Sequence, residues 1–380
     1  MRVFHILILV MFFTTIFGCK KPYTPTAVTT ANNYLVVEGV INIGSDSTQI
    51  KLSRTVNLSV ATTNPETGAI VQVESDQNTI YPLTELKRGL YIIASLNLDT
   101  TRKYRLRIKT KDSQEYLSDL VAAQVTPPID SVGFNVLNGG LQIYANAHDP
   151  KNSTHYYRWD YAETWQFTAK YYSEFVSNGT NIVARTNDQD IYTCFANDVS
   201  SSIILGSSAK LAKDVIYQSP ITSIAPSAEK IEIKYSILLR QYALSSDAYN
   251  FWVNLKKNTE QLGSIFDAQP SNINGNIHNV ANPKEPVIGY ISACSVQSKR
   301  IFIKRNQLPS SWTAIYPFDC EIDSLLFRDK NGNNFVQEVL VPLSSPLVPI
   351  GSFAGGFSSS SHECVDCTVR GTKAQPAFWK

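Results

Sequence analysis

Lys103-Tyr-Arg-Leu-Arg-Ile-Lys109, continued by Thr110 and Lys111, sets a cation at every second position with Tyr104, Leu106 and Ile108 between them. A period of two turns alternate side chains to opposite faces of a β-strand, so the stretch has one apolar and one basic face. The same period recurs on the N-terminal side in Leu35 to Ile41, in Ile50 and Leu52, and in Ala69, Val71 and Val73. Turn residues separate these runs at Gly44 to Ser47, Asn64 to Gly68, Asp76 to Asn78, Arg88 to Gly89 and Asn97 to Thr101. About seven short strands in residues 34–126 predict an immunoglobulin-like β-sandwich.

Thr126, Pro127 and Pro128 end that block, because two prolines cannot continue a ladder. From Ile129 a larger β-rich domain, 129–380, is expected. Its strand-like stretches include Leu141 to Ala145, Tyr156 to Phe167, Ile231 to Tyr242, Val287 to Ser292 and Ile301 to Lys304. One short helix stands among them: Ser245 or Ser246 caps it, Ala248, Phe251, Trp252 and Leu255 form its apolar stripe, and Gly263 stops it. The fold class is therefore mainly β.

Charged residues make up 17% of the 380, below the roughly 25% of an average soluble domain. With 34 basic against 32 acidic residues there is no excess to hold a phosphate backbone, and no nucleic-acid partner is expected. Ile6 to Phe17 is apolar or Thr and too short to span a bilayer as a mature helix, so residues 1–18 are a signal peptide. Ile16-Phe-Gly-Cys19 resembles the bacterial lipobox, which makes Cys19 the acylated first residue. Residues 19–33, polar with Pro22 and Pro25, are a tether. Several acyl chains on one cysteine anchor a protein without help from the fold.

Five thiols then remain. Outside the cytoplasm Cys194, Cys320, Cys364 and Cys367 are disulfide candidates with connectivity open, and the odd one is expected to be Cys294, in an apolar run. Cys364-Val-Asp-Cys367 read as a redox pair lacks a βαβ context. Read as a zinc site with His362 and Cys320, it lacks a second paired half. Bridges that pin the C-terminal tail need neither. Lys103, Arg105, Arg107, Lys109 and Lys111 read either as a charged guard on a sheet edge or as a docking strip for an acidic partner or lipid headgroups. His155, Tyr157, Trp159, Tyr161, Glu163, Trp165 and Phe167 share one strand face, a pattern that serves a sandwich core or sugar stacking, with core favoured. Glu163 has no evident acidic partner for acid–base work. Asp329-Lys-Asn-Gly332 lacks the carboxylates of a calcium loop and reads as a hairpin turn. No cofactor or metal and no catalytic residue is expected.

Cys19 with Pro22, Leu35-Val-Val-Glu-Gly-Val-Ile41, Thr126-Pro-Pro-Ile-Asp130, Tyr235 to Trp252, Gly263-Ser-Ile-Phe-Asp-Ala-Gln-Pro270, Gly289-Tyr290, Cys364-Val-Asp-Cys-Thr-Val-Arg-Gly371 and Pro376-Ala-Phe-Trp379 occur in that order. Together they resemble the domain of unknown function family 4249. The resemblance implies a lipid-anchored outer-membrane lipoprotein of Bacteroidota-type bacteria. It also implies a non-enzymatic accessory role beside a TonB-dependent transporter, in substrate capture or uptake, with an envelope structural or adhesive module binding glycan or protein as the alternative. A lipoprotein hydrolase using unrecognised carboxylates is the third class. Lys20 and Lys21 follow Cys19 where surface-exported members carry acidic residues, so the membrane face stays open. Ser47 in Asp46-Ser-Thr and Thr100 in Asp99-Thr-Thr resemble the O-glycosylation sequon of such bacteria.

Overall fold

The structure, a computed structural model, describes residues 33–56, 62–260 and 275–379. It is mainly β, and the longest of its few helices has 15 residues. The first strands are β1 (Leu35–Asn42), β2 (Thr48–Arg54), β3 (Asn64–Pro65), β4 (Ile70–Ser75), β5 (Ile80–Lys87), β6 (Leu90–Ile93), β7 (Lys103–Lys109), β8 (Glu115–Ser118) and β9 (Val121–Gln124). Then come β10 (Ile129–Leu137), β11 (Gly140–His148), β12 (Tyr156–Thr168), β13 (Phe175–Ser177), β14 (Ile182–Ala184), β15 (Thr193–Val199), β16 (Ile204–Ser207), β17 (Val215–Ile224) and β18 (Lys234–Ala243). Helix α1 (Ser246–Glu260) follows, and after it β19 (Ile277–Asn279), β20 (Ala293–Cys294), β21 (Val296–Lys304), β22 (Asp323–Leu326), β23 (Leu347–Phe353) and β24 (Gly356–Ser361).

The first block does not form the expected immunoglobulin-like layout. Its ladder runs β7-β4-β5-β6-β2-β1-β20-β9, and β9 pairs back onto β7 through Tyr104 with Val121, so eight strands close into a barrel. The alternating residues meet inside: Leu35, Val37, Ile50, Leu52, Val71, Val73, Tyr104, Leu106 and Ile108 are all buried in one cluster. Closure removes the free edges that an open sheet would have to protect. Short alternating strands look alike in a sandwich and in a barrel. What separates them here is β20, which lies parallel between β1 and β9 and comes from within the second block, just before β21. β19 likewise pairs with β8.

The segment that carries β20 runs beside β1. Val37 N–H donates to Ile288 O, Ile288 N–H to Leu35 O and Ile41 N–H to Ser292 O, at 2.8 to 2.9 Å. Gly289 has φ +147°, and a Cβ there would stand 2.3 Å from Val37 O. Only glycine lets the two backbones approach so closely.

The two-sheet sandwich occurs in the second block. Sheet β10-β11-β17 faces sheet β15-β12-β18-β21, with β16 beside β12, and Leu141, Ile143 and Ala145 of the one share a core with Tyr157, Trp159, Tyr235, Ile237 and Leu239 of the other. Tyr157, Trp159, Tyr161 and Phe167 are buried, so the aromatic row of β12 is core and not a sugar platform. Helix α1 is capped by Ser245, whose Oγ accepts from Ala248 N–H at 3.2 Å. It lies over the other face of β12, with Tyr249 against Tyr156 and Trp252 over Arg158. The expected stop at Gly263 lies outside the described residues. A third small sheet, β22-β24-β23, carries the C-terminal region.

Thr126 joins the two bodies as a buried node. Its N–H donates to Ser295 Oγ at 2.9 Å, its hydroxyl donates to Ser295 O, and its Oγ1 accepts from Ala243 N–H at 3.0 Å. Pro127 O accepts from Gln241 Nε2, whose Oε1 accepts in turn from Trp159 Nε1, both at 2.9 Å.

Candidate functional site

Strand β7 places Tyr104, Leu106 and Ile108 inward and the cations outward, as its alternation requires. It is not a sheet edge. It pairs with β4 on one side and with β8 and β9 on the other, so edge protection does not explain the cations. Two of the five are engaged: Arg105 Nε donates to Glu74 Oε2 at 2.7 Å, and Arg107 bonds both Glu74 and Glu115. Burial pushes the Glu74 carboxyl up, but Arg107 and Arg105 outweigh it and hold the group below the ordinary carboxylate range. Lys103, Lys109 and Lys111 stay exposed, Lys111 in the turn beyond the strand. Beside the strip a groove of about 430 Å³ is bounded by Arg105, Leu117, Asp119, His278 and Val280.

Glu163 is buried in the second block and fully partnered: Lys230 Nζ donates to one oxygen and Tyr235 Oη to the other, the latter at 2.7 Å. Burial, then the Glu163 charge, raise the Tyr235 hydroxyl well above the usual phenol range. A cavity of about 330 Å³ opens nearby between Ile231, Glu232, Trp312 and Tyr316. Glu232 accepts there from Thr168 Oγ1 at 2.9 Å and from Tyr316 Oη at 3.1 Å, and Lys170 lies over the Tyr316 ring. Burial pushes the Tyr316 hydroxyl up to about 12. Among the described residues no group of three or more His, Cys, Asp or Glu could hold a metal ion.

The disulfides are Cys194 to Cys367 and Cys320 to Cys364. They fix the C-terminal tail to β15 and to the segment before β22. Cys294 is free and buried in β20, and burial pushes its thiol up to about 12. Between the bridges and the C-terminus, Gly371 passes so close to β15 that a Cβ would lie 2.6 Å from Phe195 O. Thr372 bridges Phe195, and Trp379 packs edge-on to Phe195 and Phe302. Arg370 pairs with Glu229 and lies over Phe167. The spaced residues of the tail are thus explained by docking.

Ser47 and Thr100 are both exposed, in turns at one end of the barrel. Those turns are tied together by Leu98 N–H to Ile43 O at 2.9 Å. The Asp329 turn is an exposed loop in which the carboxylate accepts from Asn331 N–H and Asn333 N–H, both at 2.8 Å. Cys19 and the tether lie outside the described residues. Sequence reasoning missed the Thr126 node and the pairing of β20 with the first block, because both depend on partners more than 100 residues away. It also passed over the outer face of β10, β11 and β17, which carries no recognisable motif.

These features define a mainly β protein, barrel and sandwich interlocked through β20, with a disulfide-pinned tail. The chain belongs to the family described as "Domain of unknown function (DUF4249)", which it matches over residues 20–300. The match stops before β22 and the tail, so three of the four bridged cysteines lie beyond it. No curated protein matches the chain. Among solved structures, trypsin-activated alpha-2-macroglobulin from Escherichia coli is similar at a TM-score of 0.20 and 8% identity, over 81% of this chain and 18% of that one. The Salmonella alpha-2-macroglobulin mutant Y1175G gives 0.18 and 11%, over 80% and 16%. The Yersinia pseudotuberculosis adhesin InvE gives 0.14 and 15%, over 56% and 55%. The chain therefore spans less than a fifth of the two macroglobulins, and similarities this low carry no argument about fold or function.

Proposed function

We propose that this chain is a non-enzymatic lipoprotein of the outer membrane, anchored through Cys19, that serves a TonB-dependent transporter as an accessory subunit in substrate capture or uptake. The observation that carries the reading is the lipobox-like Ile16-Phe-Gly-Cys19 followed by a polar tether. Two disulfides in the folded body suit an oxidising compartment, which supports the same placement. Lys103 and Lys109 on the barrel wall and Lys111 in the turn beyond offer an acidic partner exposed charge. Affinity purification of the tagged full chain from outer membranes is expected to recover a large β-barrel protein. Recovery of the lipoprotein alone rejects the transporter role. Labelling with radioactive palmitate is expected in the wild type and to vanish in Cys19→Ala.

A second reading, an envelope adhesive module, is favoured by the outer face of sheet β10-β11-β17, which is open and has no lysine or arginine in its strands.

A further inference from the structure

The two outer faces of the sandwich differ in kind. That of β12 and β18 carries Arg158, Asp160 and Arg240, ion-paired among themselves and partly covered by helix α1. That of β10, β11 and β17 has no lysine or arginine in any of its three strands, and its only carboxylate, Asp130, is paired with His148 at one end. Between them, the register sets Ser131 beside Asn146, Gly133 beside Tyr144, and Asn135 beside Gln142, with Ser223 next to Gln142.

These side chains are held in place by one another. Asn146 Nδ2 donates to Ser131 Oγ at 2.8 Å, Ser223 Oγ to Gln142 Oε1 at 2.9 Å, and Gln142 Nε2 to Thr222 O at 3.0 Å. A bulge in β17 at Gln218, where φ is +45°, turns Tyr217 out to 76% exposure. Tyr144 lies across its neighbour Gly133, where a Cβ would come within 2.6 Å of the ring. With glycine beneath it, the ring can lie down on the sheet and turn its other face to solvent.

A solvated sheet face ordinarily carries charged residues, because they cost least there. A fixed, uncharged array of amides and hydroxyls with tyrosine faces is complementary to a ligand that is also uncharged, rich in hydroxyls and faced with C–H groups. Amides both donate and accept, as sugar hydroxyls do. Tyrosine gives a flat apolar surface with a polar tip. Exposed aliphatic side chains, Val136, Leu137 and Val215, stand only at strand ends, whereas the anchors of a protein partner cluster at the centre of an interface. We infer that the outer face of β10, β11 and β17, centred on Tyr144 and Tyr217, is a docking surface for a neutral polysaccharide chain. The inference deepens the adhesive reading and is independent of any transporter.

The test is native electrophoresis of the detergent-solubilised full chain through gels containing amylose, xylan, galactomannan or a β-glucan, with polygalacturonate as the charged control. At least one neutral polymer is expected to retard the protein. The Tyr144→Ala, Tyr217→Ala double variant is expected to weaken that retardation at least tenfold, and polygalacturonate is expected to have no effect. Asn135→Ala provides a milder probe of the same face should the tyrosine pair lower the melting temperature, and it is expected to weaken retardation severalfold. Retardation by none of the neutral polymers overturns the inference. So does equal retardation of wild type and of both variants. Should the double variant instead lose a protein partner while no polymer is bound, the face docks protein and the inference fails.

Discussion

Single residues carry several of this fold's constraints, and each can be tested alone. Asp149 accepts from the backbone N–H of Lys151, Ser153 and Thr154 at 2.9 Å each, and from Ser153 Oγ at 2.7 Å. Burial raises its carboxyl, but the Ser153 hydroxyl and the three amides prevail and hold it well below the ordinary range. A depressed folded value means that its stabilisation is fully present above the unfolded value, about 4, and is lost as pH falls through the folded one. Urea melts from pH 7 to pH 3 are therefore expected to show a shallower acid loss in Asp149→Asn than in wild type, from a lower starting stability. Cys294 should be silent to thiol reagents in the native protein and label fully in denaturant, since both its burial and its raised thiol value suppress the reactive thiolate. Rapid native labelling would show that β20 opens. Gly289→Ala should cost about 1–3 kcal/mol in a chemical melt, because a positive φ and a backbone contact are both violated.

At the scale of elements, β20 matters out of proportion to its two residues. Without it β1 and β9 are not bridged, and the barrel has two open edges. A 34–126 fragment is therefore expected to show no cooperative thermal transition, whereas a 34–304 chain melts cooperatively by circular dichroism. A sharp transition in the short fragment would mean that the barrel closes unaided. Thr126→Val removes the hydroxyl shared by Ser295 and Ala243 while keeping the shape. The unpaired groups left behind should cost about 1–3 kcal/mol in urea unfolding. The strand content, the inward residues of β7 and the start of helix α1 were legible in sequence because burial repeats with a local period. The place of β7 inside the sheet was not, since alternation reports the two faces of a strand and says nothing of its neighbours.

For the whole molecule, the bridges act over long distances in sequence. Cys194 and Cys367 are separated by 173 residues and Cys320 and Cys364 by 44, so each limits the unfolded chain, with stabilisation of about 2–5 kcal/mol. Reduction in denaturant followed by refolding without oxidant should lower the melting temperature and release the tail to proteolysis, while barrel strands stay protected. The sequence by itself determined that the protein is rich in strands, where its first block ends at Pro127 and Pro128, and that its five later cysteines cannot all pair with each other. These follow from composition, local period and parity, which need no knowledge of neighbours. Only the tertiary structure decided that the first block is a barrel and the second a sandwich, which cysteines meet, and that one polar sheet face stays open. Each of those depends on pairing between residues far apart in the chain, where loop closure and packing choose among partners that look alike locally.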